Sequence, residues 1–460
     1  MTIPTVEKFR SSRTPWEVFR QVYRASPACF FLDSPRFAPP DQVYSYIGMD
    51  PVLELRLEGK TLFLKGSIRK SYPAEELFAI LKKVLRQYRI HVPNPFPFFI
   101  GGMVGYWGYD IADLCDKVRL KPGEKGGAPR LWLGLFRDVI VHDHRKKVYY
   151  LVANRRTAVE GRQRIEELKT YFEGAIARPG RSFRPEKIVP GMTERQFVRM
   201  VERAKEYIAA GDIYQANLSQ RFAFGFSGSS LELYGKLRTI NPSPFSCFLK
   251  TKDLEVISSS PERLVRKKGR MCETRPIAGT CPAYGPERRV RIWRRELLRN
   301  EKEKAEHLML VDLERNDLGR VCEYRSVRVA EFMTLEKYSH VVHIVSKITG
   351  RLKKGKDAPD LLKAMFPGGT ITGCPKIRCM EIIDELEPVN RGLYTGSIGY
   401  IDFYGDMDLN IVIRTLILRK NRGCLQVGAG IVHDSVPKKE YEETLHKAGA
   451  LLKALAEAGK

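Results

Sequence analysis

Residues 52–153 change polarity almost residue by residue, as in Leu53-Glu-Leu-Arg-Leu57 and Lys147-Val-Tyr-Tyr-Leu-Val152. A period of two sends successive side chains to opposite faces, which suits half-buried strands and excludes an amphipathic helix. A charged, helix-like stretch follows over 157–177. Residues 178–190, RPGRSFRPEKIVP, then hold three prolines and a glycine, a composition that suits a linker better than a helix or a central strand. The main boundary is expected there, between an N-terminal region of residues 1–180 and a larger C-terminal unit of residues 190–457.

The C-terminal unit opens with a well-marked helix. Thr193 and Gln196 make a capping box, Phe197, Val201, Ala204 and Ile208 recur at helical spacing, and Gly211 ends the run. Over 213–222 the period returns to two, with Gln215, Asn217, Ser219 and Arg221 on one face and Tyr214, Ala216, Leu218 and Phe222 on the other. A polar face on so apolar a strand suits either a pocket wall or a solvent-facing edge. Strands and amphipathic helices without a fixed-period repeat indicate an α+β chain.

With 460 residues, 43% of them hydrophobic, the chain can bury a large core. Its net charge of +25 raises the question of a polyanionic partner. The basic residues are scattered, however, and the densest group, Arg288, Arg289, Arg291, Arg294 and Arg295, is interrupted by Val290, Ile292 and Trp293. That pattern reads as a solvated helix face beside a site for a small anion, with no nucleic acid expected. Nine cysteines, an odd number with no C-x-x-C pair, read as reduced thiols of a cytoplasmic protein. No apolar run follows the charges of the first twenty residues, and none elsewhere is long enough for a membrane span, so neither export nor a membrane is expected.

Two carboxylate pairs stand out. Glu303 and Glu306 lie three apart in a helix-forming run, and Glu440 and Glu443 repeat the spacing after Ser435, a plausible cap. Each pair shares a helix face, which is either a solvated surface or half of an oxygen cage for a hard cation such as Mg²⁺. Glycine-rich turns at 276–280 (PIAGT), 366–373 (FPGGTITG) and 428–430 (GAG) offer backbone N–H groups that suit carboxylates or phosphates, though none matches a nucleotide fingerprint.

Three runs carry a resemblance: KAEHLMLVDLERNDLG at 304–319, FPGGTITGCPKIR at 366–378, and GAGIVHDS at 428–435. They resemble the chorismate-utilising enzymes, anthranilate synthase and aminodeoxychorismate synthase component I among them, over about residues 192–455. A weaker likeness runs through Phe31-Leu-Asp-Ser34, Tyr44-Ser-Tyr-Ile-Gly48 and Gly101-Gly102. The resemblance implies an α/β/β/α core of packed sheets between helices, with the active site in the C-terminal unit. By motif match, Glu306 and Glu443 would hold Mg²⁺, with Glu303 and Glu440 supporting it through water. The metal would grip the ring carboxylate of chorismate. Arg414, Tyr394 and the Gly430 backbone would hold the pyruvyl carboxylate, while Gly279, Thr280 and Thr370 would line the ring. Glu262 would be the acid near the leaving hydroxyl, and His343 would handle a proton at the pyruvyl side.

Within that family, isochorismate and salicylate synthases carry a lysine at the position of Gln215, where it activates water. The neutral amide of Gln215 cannot act as that base, so the nucleophile is expected to be ammonia. The branch rests on fewer residues. Gly368-Gly369, residues 212–217 (DIYQAN) and 407–414 (MDLNIVIR) resemble the aminodeoxychorismate branch, whereas Ala278, where that branch commonly has a lysine, resembles anthranilate synthases. No glutaminase nucleophile motif is apparent, so a partner glutamine amidotransferase subunit would supply ammonia. Leu32, Asp33 and Ser34, with Asn241-Pro-Ser-Pro-Phe245, resemble the tryptophan pocket of anthranilate synthases, which makes Leu32 and Ser34 candidates for regulation.

Overall fold

The structure, a computed structural model, describes residues 3–34, 43–92, 95–124, 127–175, 180, 182–338 and 341–458. The described strands form two antiparallel sheets. The first runs from Ile3–Phe9 through Val148–Arg155, Asp138–Asp143, Tyr44–Met49 and Cys29–Asp33, then continues through Phe245–Lys250, Glu255–Ser260, Thr415–Arg419, Arg422–Ile431 and Gln215–Ser227. The second runs from Ile277–Pro282 through Val341–Arg351, Met271–Thr274, Arg263–Lys268, Met407–Asn410 and Ser397–Asp402, and from there into Gly102–Trp107, Leu131–Phe136 and Leu53–Glu58. Both sheets draw neighbouring strands from the two sequence regions: Phe31 lies opposite Phe248 in one, and Ile398 opposite Tyr106 in the other.

Side-chain alternation sorts the layers. Phe30, Cys247, Leu249 and Val256 face the core shared by the two sheets. Their strand neighbours Cys29, Phe31, Phe248 and Ile257 face the opposite way, under helices Pro15–Ala25, Ser230–Ile240 and Pro437–Ala458. Phe248 is fully buried against the rings of Phe19, Tyr23 and Tyr234. Truncating such a side chain to alanine costs about 3–5 kcal/mol. Helices Leu77–Gln87, Glu301–Val321 and Ala358–Met365 cover the second sheet with Leu81, Leu318 and Leu361. The result is the α+β, helix–sheet–sheet–helix layering that the motifs imply. No described helix is long and apolar enough to cross a membrane, and all nine cysteines are free thiols.

Several local readings change. Residues 52–153 include the helix Leu77–Gln87, whose Leu77, Ile80, Leu81 and Val84 make an apolar helical stripe within the strand-rich region. The helix after Thr157 ends at Lys169. Residues 176–179 and 181 of the helix-like stretch and linker lie outside the described residues, but Arg184–Pro185 and Val189–Pro190 form short strands on Gln215–Ser227. At such an edge the missing proline N–H interrupts no central ladder. The capping box is present, Thr193 accepting from the Gln196 N–H and Gln196 from the Thr193 N–H, at the head of Glu194–Ala209.

Candidate active site

Two helices bring the carboxylate pairs together. Glu301–Val321 starts under Asn300, whose side-chain oxygen accepts from the N–H groups of Lys302 and Glu303. Its buried residues, among them His307, Leu310, Glu314 and Asp317, fix its rotation. The terminal helix Pro437–Ala458 contributes Glu440 and Glu443. Ser435 is not its cap: it precedes the cap position, and its hydroxyl accepts from the Val432 N–H at 3.1 Å. Burial raises the carboxyls of Glu303, Glu306 and Glu440, and the charge of Glu443 raises each further, so the two pairs face one another. Lys302, 3.7 Å from Glu306, and Lys447, 2.7 Å from Glu443, offset part of that charge. Among the described residues no three carboxylate, imidazole or thiol groups stand at metal-ligand spacing. Four carboxylates without sulfur or imidazole nevertheless fit a hard divalent cation, and both ammonium groups ride on flexible stems that can withdraw.

Strand Ile277–Pro282 passes this acidic rim at Gly279. Its φ is 63°, and a Cβ there would stand 2.9 Å from Glu303 Oε2, so both conformation and space call for glycine. The Gly279 carbonyl accepts from His343 Nδ1 at 3.0 Å, and Thr280 Oγ1 stands equally near that nitrogen. A carbonyl can only accept, so Nδ1 carries the ring proton and Nε2, buried without a partner, keeps the lone pair. Burial lowers this imidazole to about 4, with the Gly279 bond opposing the shift and the Arg414 charge adding to it. Tyr338 meets the ring edge-on at 5.2 Å.

Glu262 is buried at the start of strand Arg263–Lys268, its backbone carbonyl accepting from the Ile411 N–H at 3.0 Å. Burial pushes its carboxyl up to about 7, against the Thr370 hydroxyl, the Ile277 backbone and the charges of Arg414 and Lys447. Neither Glu262 Oε1 nor Thr370 Oγ1 has a well-aligned hydrogen-bond partner, so the hydroxyl lies near the acid but out of line. Arg414 adopts φ 50°, a strained conformation for a residue with a side chain. Among the described residues no carboxylate forms an ion pair with its guanidinium, and Glu262 acts on it only at longer range. A half-buried, unengaged planar fork of this kind is suited to a carboxylate ligand.

The floor is a pair of strands with glycines opposite polar residues. Gly430 faces Asn217 and Gly428 faces Ser219 in the ladder. A Cβ at Gly430 would stand 2.6 Å from Gln215 Nε2; one at Gly428 would stand 2.6 Å from Asn217 Oδ1 and 2.7 Å from the Tyr394 hydroxyl. Gln215 Oε1 and Asn217 Oδ1 are buried and unpartnered. The polar face of this strand is therefore a pocket wall and not a solvent-facing edge. Lys447 donates to the Gly428 carbonyl at 3.0 Å and so ties the floor to the acidic rim. Thr370 sits on the turn Gly369–Ile371, held against the helix Glu301–Val321: a Cβ at Gly369 would collide with Leu313 at 2.3 Å. At Gly368 the nearest atoms, tips of Ile411 and Leu264, are 3.1 and 3.2 Å away, so only a small adjustment separates glycine from alanine there.

The structure thus gathers Gln215, Glu262, Gly279, Thr280, His343, Thr370, Tyr394, Arg414 and Gly430 around the four glutamates. It also adds residues the sequence reading passed over. Lys447 lies four positions after Glu443, a spacing that marks it as a partner. Arg391 is buried beneath Tyr394, 5.6 Å from its ring, and paired with Glu387 at 2.7 Å. Leu32 and Ser34 lie elsewhere, in a cavity between the sheets with Pro244, Phe245, Tyr400 and Met407. The Asp33 carboxylate instead accepts from Arg238 Nε at 2.8 Å.

A polar wall between packed strands, with four carboxylates on its rim and an arginine that no described carboxylate engages, makes a pocket suited to a small anionic ligand. The chain belongs to the chorismate binding enzyme family, whose profile matches residues 27–453. It is 41% identical over 420 residues to aminodeoxychorismate synthase component 1 of Bacillus subtilis, covering 90% of this chain and 89% of that one. It is 40% identical over 449 residues to anthranilate synthase component 1 of Methanothermobacter marburgensis, covering 97% and 94%. Among solved structures it resembles anthranilate synthase component I of Streptococcus pneumoniae, with a TM-score of 0.78, 35% identity and coverage of 91% and 93%.

Proposed function

We propose that this chain is the synthase component of an aminodeoxychorismate synthase, converting chorismate and ammonia to 4-amino-4-deoxychorismate on the way to 4-aminobenzoate and folate. A separate glutamine amidotransferase subunit would deliver the ammonia, and Glu306 and Glu443, backed by Glu303 and Glu440, would hold Mg²⁺. The observation that carries the aminating reading is the Gln215 amide in the pocket wall, where water activation would need a base. With no general base at that place, the nucleophile has to attack without first being deprotonated, which neutral ammonia does far better than water.

Bound Mg²⁺ would neutralise the ring carboxylate and polarise the ring as a Lewis acid. The Arg414 fork, the Tyr394 hydroxyl and the Gly430 backbone receive the pyruvyl carboxylate. Glu262, with its carboxyl raised to about 7, still holds much of its proton near neutrality and can give it to the departing C4 hydroxyl. His343 Nε2 takes the proton that ammonia gives up once it has bonded to the ring, which balances the proton that leaves Glu262 with the C4 hydroxyl as water. Ala278 favours a second reading, anthranilate synthase component I, because no amine stands there to add at C2 before ammonia arrives at C4. The features placed against it are the runs 212–217 and 407–414 and Gly368; the last weighs less, since its surroundings nearly admit alanine. The test of the shared reading is chorismate consumption that requires ammonium when glutamine and partner are absent. Consumption that ignores ammonium and yields isochorismate would contradict it.

A further inference from the structure

Behind the wall that carries Tyr394 lies a buried ion pair that the proposed chemistry does not use. Arg391 and Glu387, each 3% exposed, follow the helix Lys376–Leu386. They meet through two parallel bonds, Nη2 to Oε1 at 2.7 Å and Nε to Oε2 at 3.0 Å. The other guanidinium donors are committed as well: Nη1 donates to the Ile371 carbonyl at 2.8 Å and to Thr395 Oγ1 at 3.2 Å, and Nη2 to the Asn217 carbonyl at 2.5 Å. All five N–H groups of the fork thus have acceptors. Glu387 Oε1 also accepts from the N–H and the hydroxyl of Ser219, at 2.8 and 2.7 Å.

These partners belong to three separate pieces of the site. Asn217 and Ser219 lie on the polar face of the strand Gln215–Ser227, Ile371 ends the turn that carries Thr370, and Thr395 follows Tyr394. Thr395 adopts φ 60°, a costly conformation for a β-branched residue. Its hydroxyl accepts from Arg391 while donating to the Tyr394 carbonyl at 2.6 Å. The Tyr394 N–H donates to the Arg391 carbonyl at 3.0 Å, and its ring stands 5.6 Å from the guanidinium. Arg391 therefore holds Tyr394 at its amide, at its ring and, through Thr395, at its carbonyl.

What is held so firmly is a donor without a partner. A Cβ at Gly428 would stand 2.7 Å from the Tyr394 hydroxyl and 2.6 Å from Asn217 Oδ1, so both groups border the same glycine floor. Among the described residues the Tyr394 hydroxyl makes no hydrogen bond. Burial raises this hydroxyl, which keeps its proton, and the Arg391 charge opposes the shift, which makes it a readier donor.

We propose that Arg391 is a positioning residue that sets the Tyr394 hydroxyl where it selects a ligand's side-chain carboxylate over an uncharged group of similar size. The inference rests on the assignment of Arg414, Tyr394 and Gly430 to the pyruvyl carboxylate in the proposed reaction.

The test compares two probes by calorimetry: the enolpyruvyl ether of 3-hydroxybenzoate, which carries both carboxylates, and its side-chain methyl ester. The wild type should prefer the diacid. Arg391→Lys leaves Glu387 a cation but loses the planar fork. It should bind the diacid about 10-fold more weakly, the usual worth of a hydrogen bond to a charged group, and the ester as before. With chorismate, KM should rise by about the same factor and kcat should change far less. Thr395→Val keeps the ion pair and cuts one link from Arg391 to Tyr394; it should lose about threefold of the diacid preference, and it decides the matter if Arg391→Lys does not fold. Equal losses for diacid and ester would mark the pair as structural only and overturn the proposal. Ammonium-dependent chorismate consumption by the wild type, with a diacid preference that neither variant moves, would overturn the proposal and leave the functional reading standing. A wild type that neither consumes chorismate nor binds the diacid would overturn both.

Discussion

His343 donates through Nδ1 to the Gly279 carbonyl at 3.0 Å, on the residue whose missing side chain leaves room for Glu303. One glycine therefore sets both the tautomer of the imidazole and the approach of the ring-binding turn to the acidic rim. His343→Asn can keep the donor to Gly279 while losing the lone pair of Nε2. We expect an intact fold, a nearly unchanged KM for chorismate and a kcat about 100-fold lower, the usual loss when a positioned base is removed. A fully active asparagine variant would remove His343 from the chemistry.

Glu306→Gln and Glu443→Gln each take one negative charge from the cluster. Turnover should be abolished in both, and EDTA should stop the wild type. The metal-free melting temperature of Glu306→Gln should not fall, because burial and the neighbouring carboxylates already disfavour the charge of Glu306. Either variant working normally in EDTA would refute the Mg²⁺ assignment.

Much of this arrangement could be read from residue spacing, and the reasons for the rest are physical. The capping box at Thr193 and the three-residue spacing of the glutamates are local signals, and local signals survive folding. A period of two identifies a strand but not its partner, so nothing in Cys29–Asp33 announces that it pairs with Phe245–Lys250 across some two hundred intervening residues. The strands at Arg184–Pro185 and Val189–Pro190 were hidden by prolines that an edge tolerates. Lys447 was readable from its spacing to Glu443.

Gln215 makes the nucleophile testable by substitution. The wild type should form no isochorismate in water without ammonia. Gln215→Lys should introduce a trace, since burial lowers the pKa of a lysine and frees its lone pair for water. Abundant isochorismate from the unmodified protein would refute the account of the nucleophile.

Stability should depend on pH through the same groups. The Glu262 carboxyl is raised from 4.5 unfolded to about 7 folded, so the stability it contributes is full below 4.5 and lost as pH rises through 7. His343 is depressed from 6.5 to about 4, so its contribution is present above 6.5 and lost as pH falls through 4. Between these limits the two trends oppose each other; above about pH 6.5 only the carboxyl's decline remains. Glu262→Gln cannot ionise, so relative to wild type its melting temperature should improve on going from about pH 5 to about pH 8.5. A difference that does not change with pH would show that Glu262 is not buried as an acid.

The most direct test of the account is the identity of the product. Protein, chorismate, Mg²⁺ and ammonium should be incubated and the products separated by mass and fluorescence, with and without an added aminodeoxychorismate lyase. The account predicts a 4-amino product that becomes 4-aminobenzoate only when the lyase is present. Ala278→Lys should favour that route further or trap C2 covalently. Fluorescent 2-aminobenzoate formed without lyase, as the only wild-type product, would contradict the aminodeoxychorismate assignment and place the chain with the anthranilate synthases.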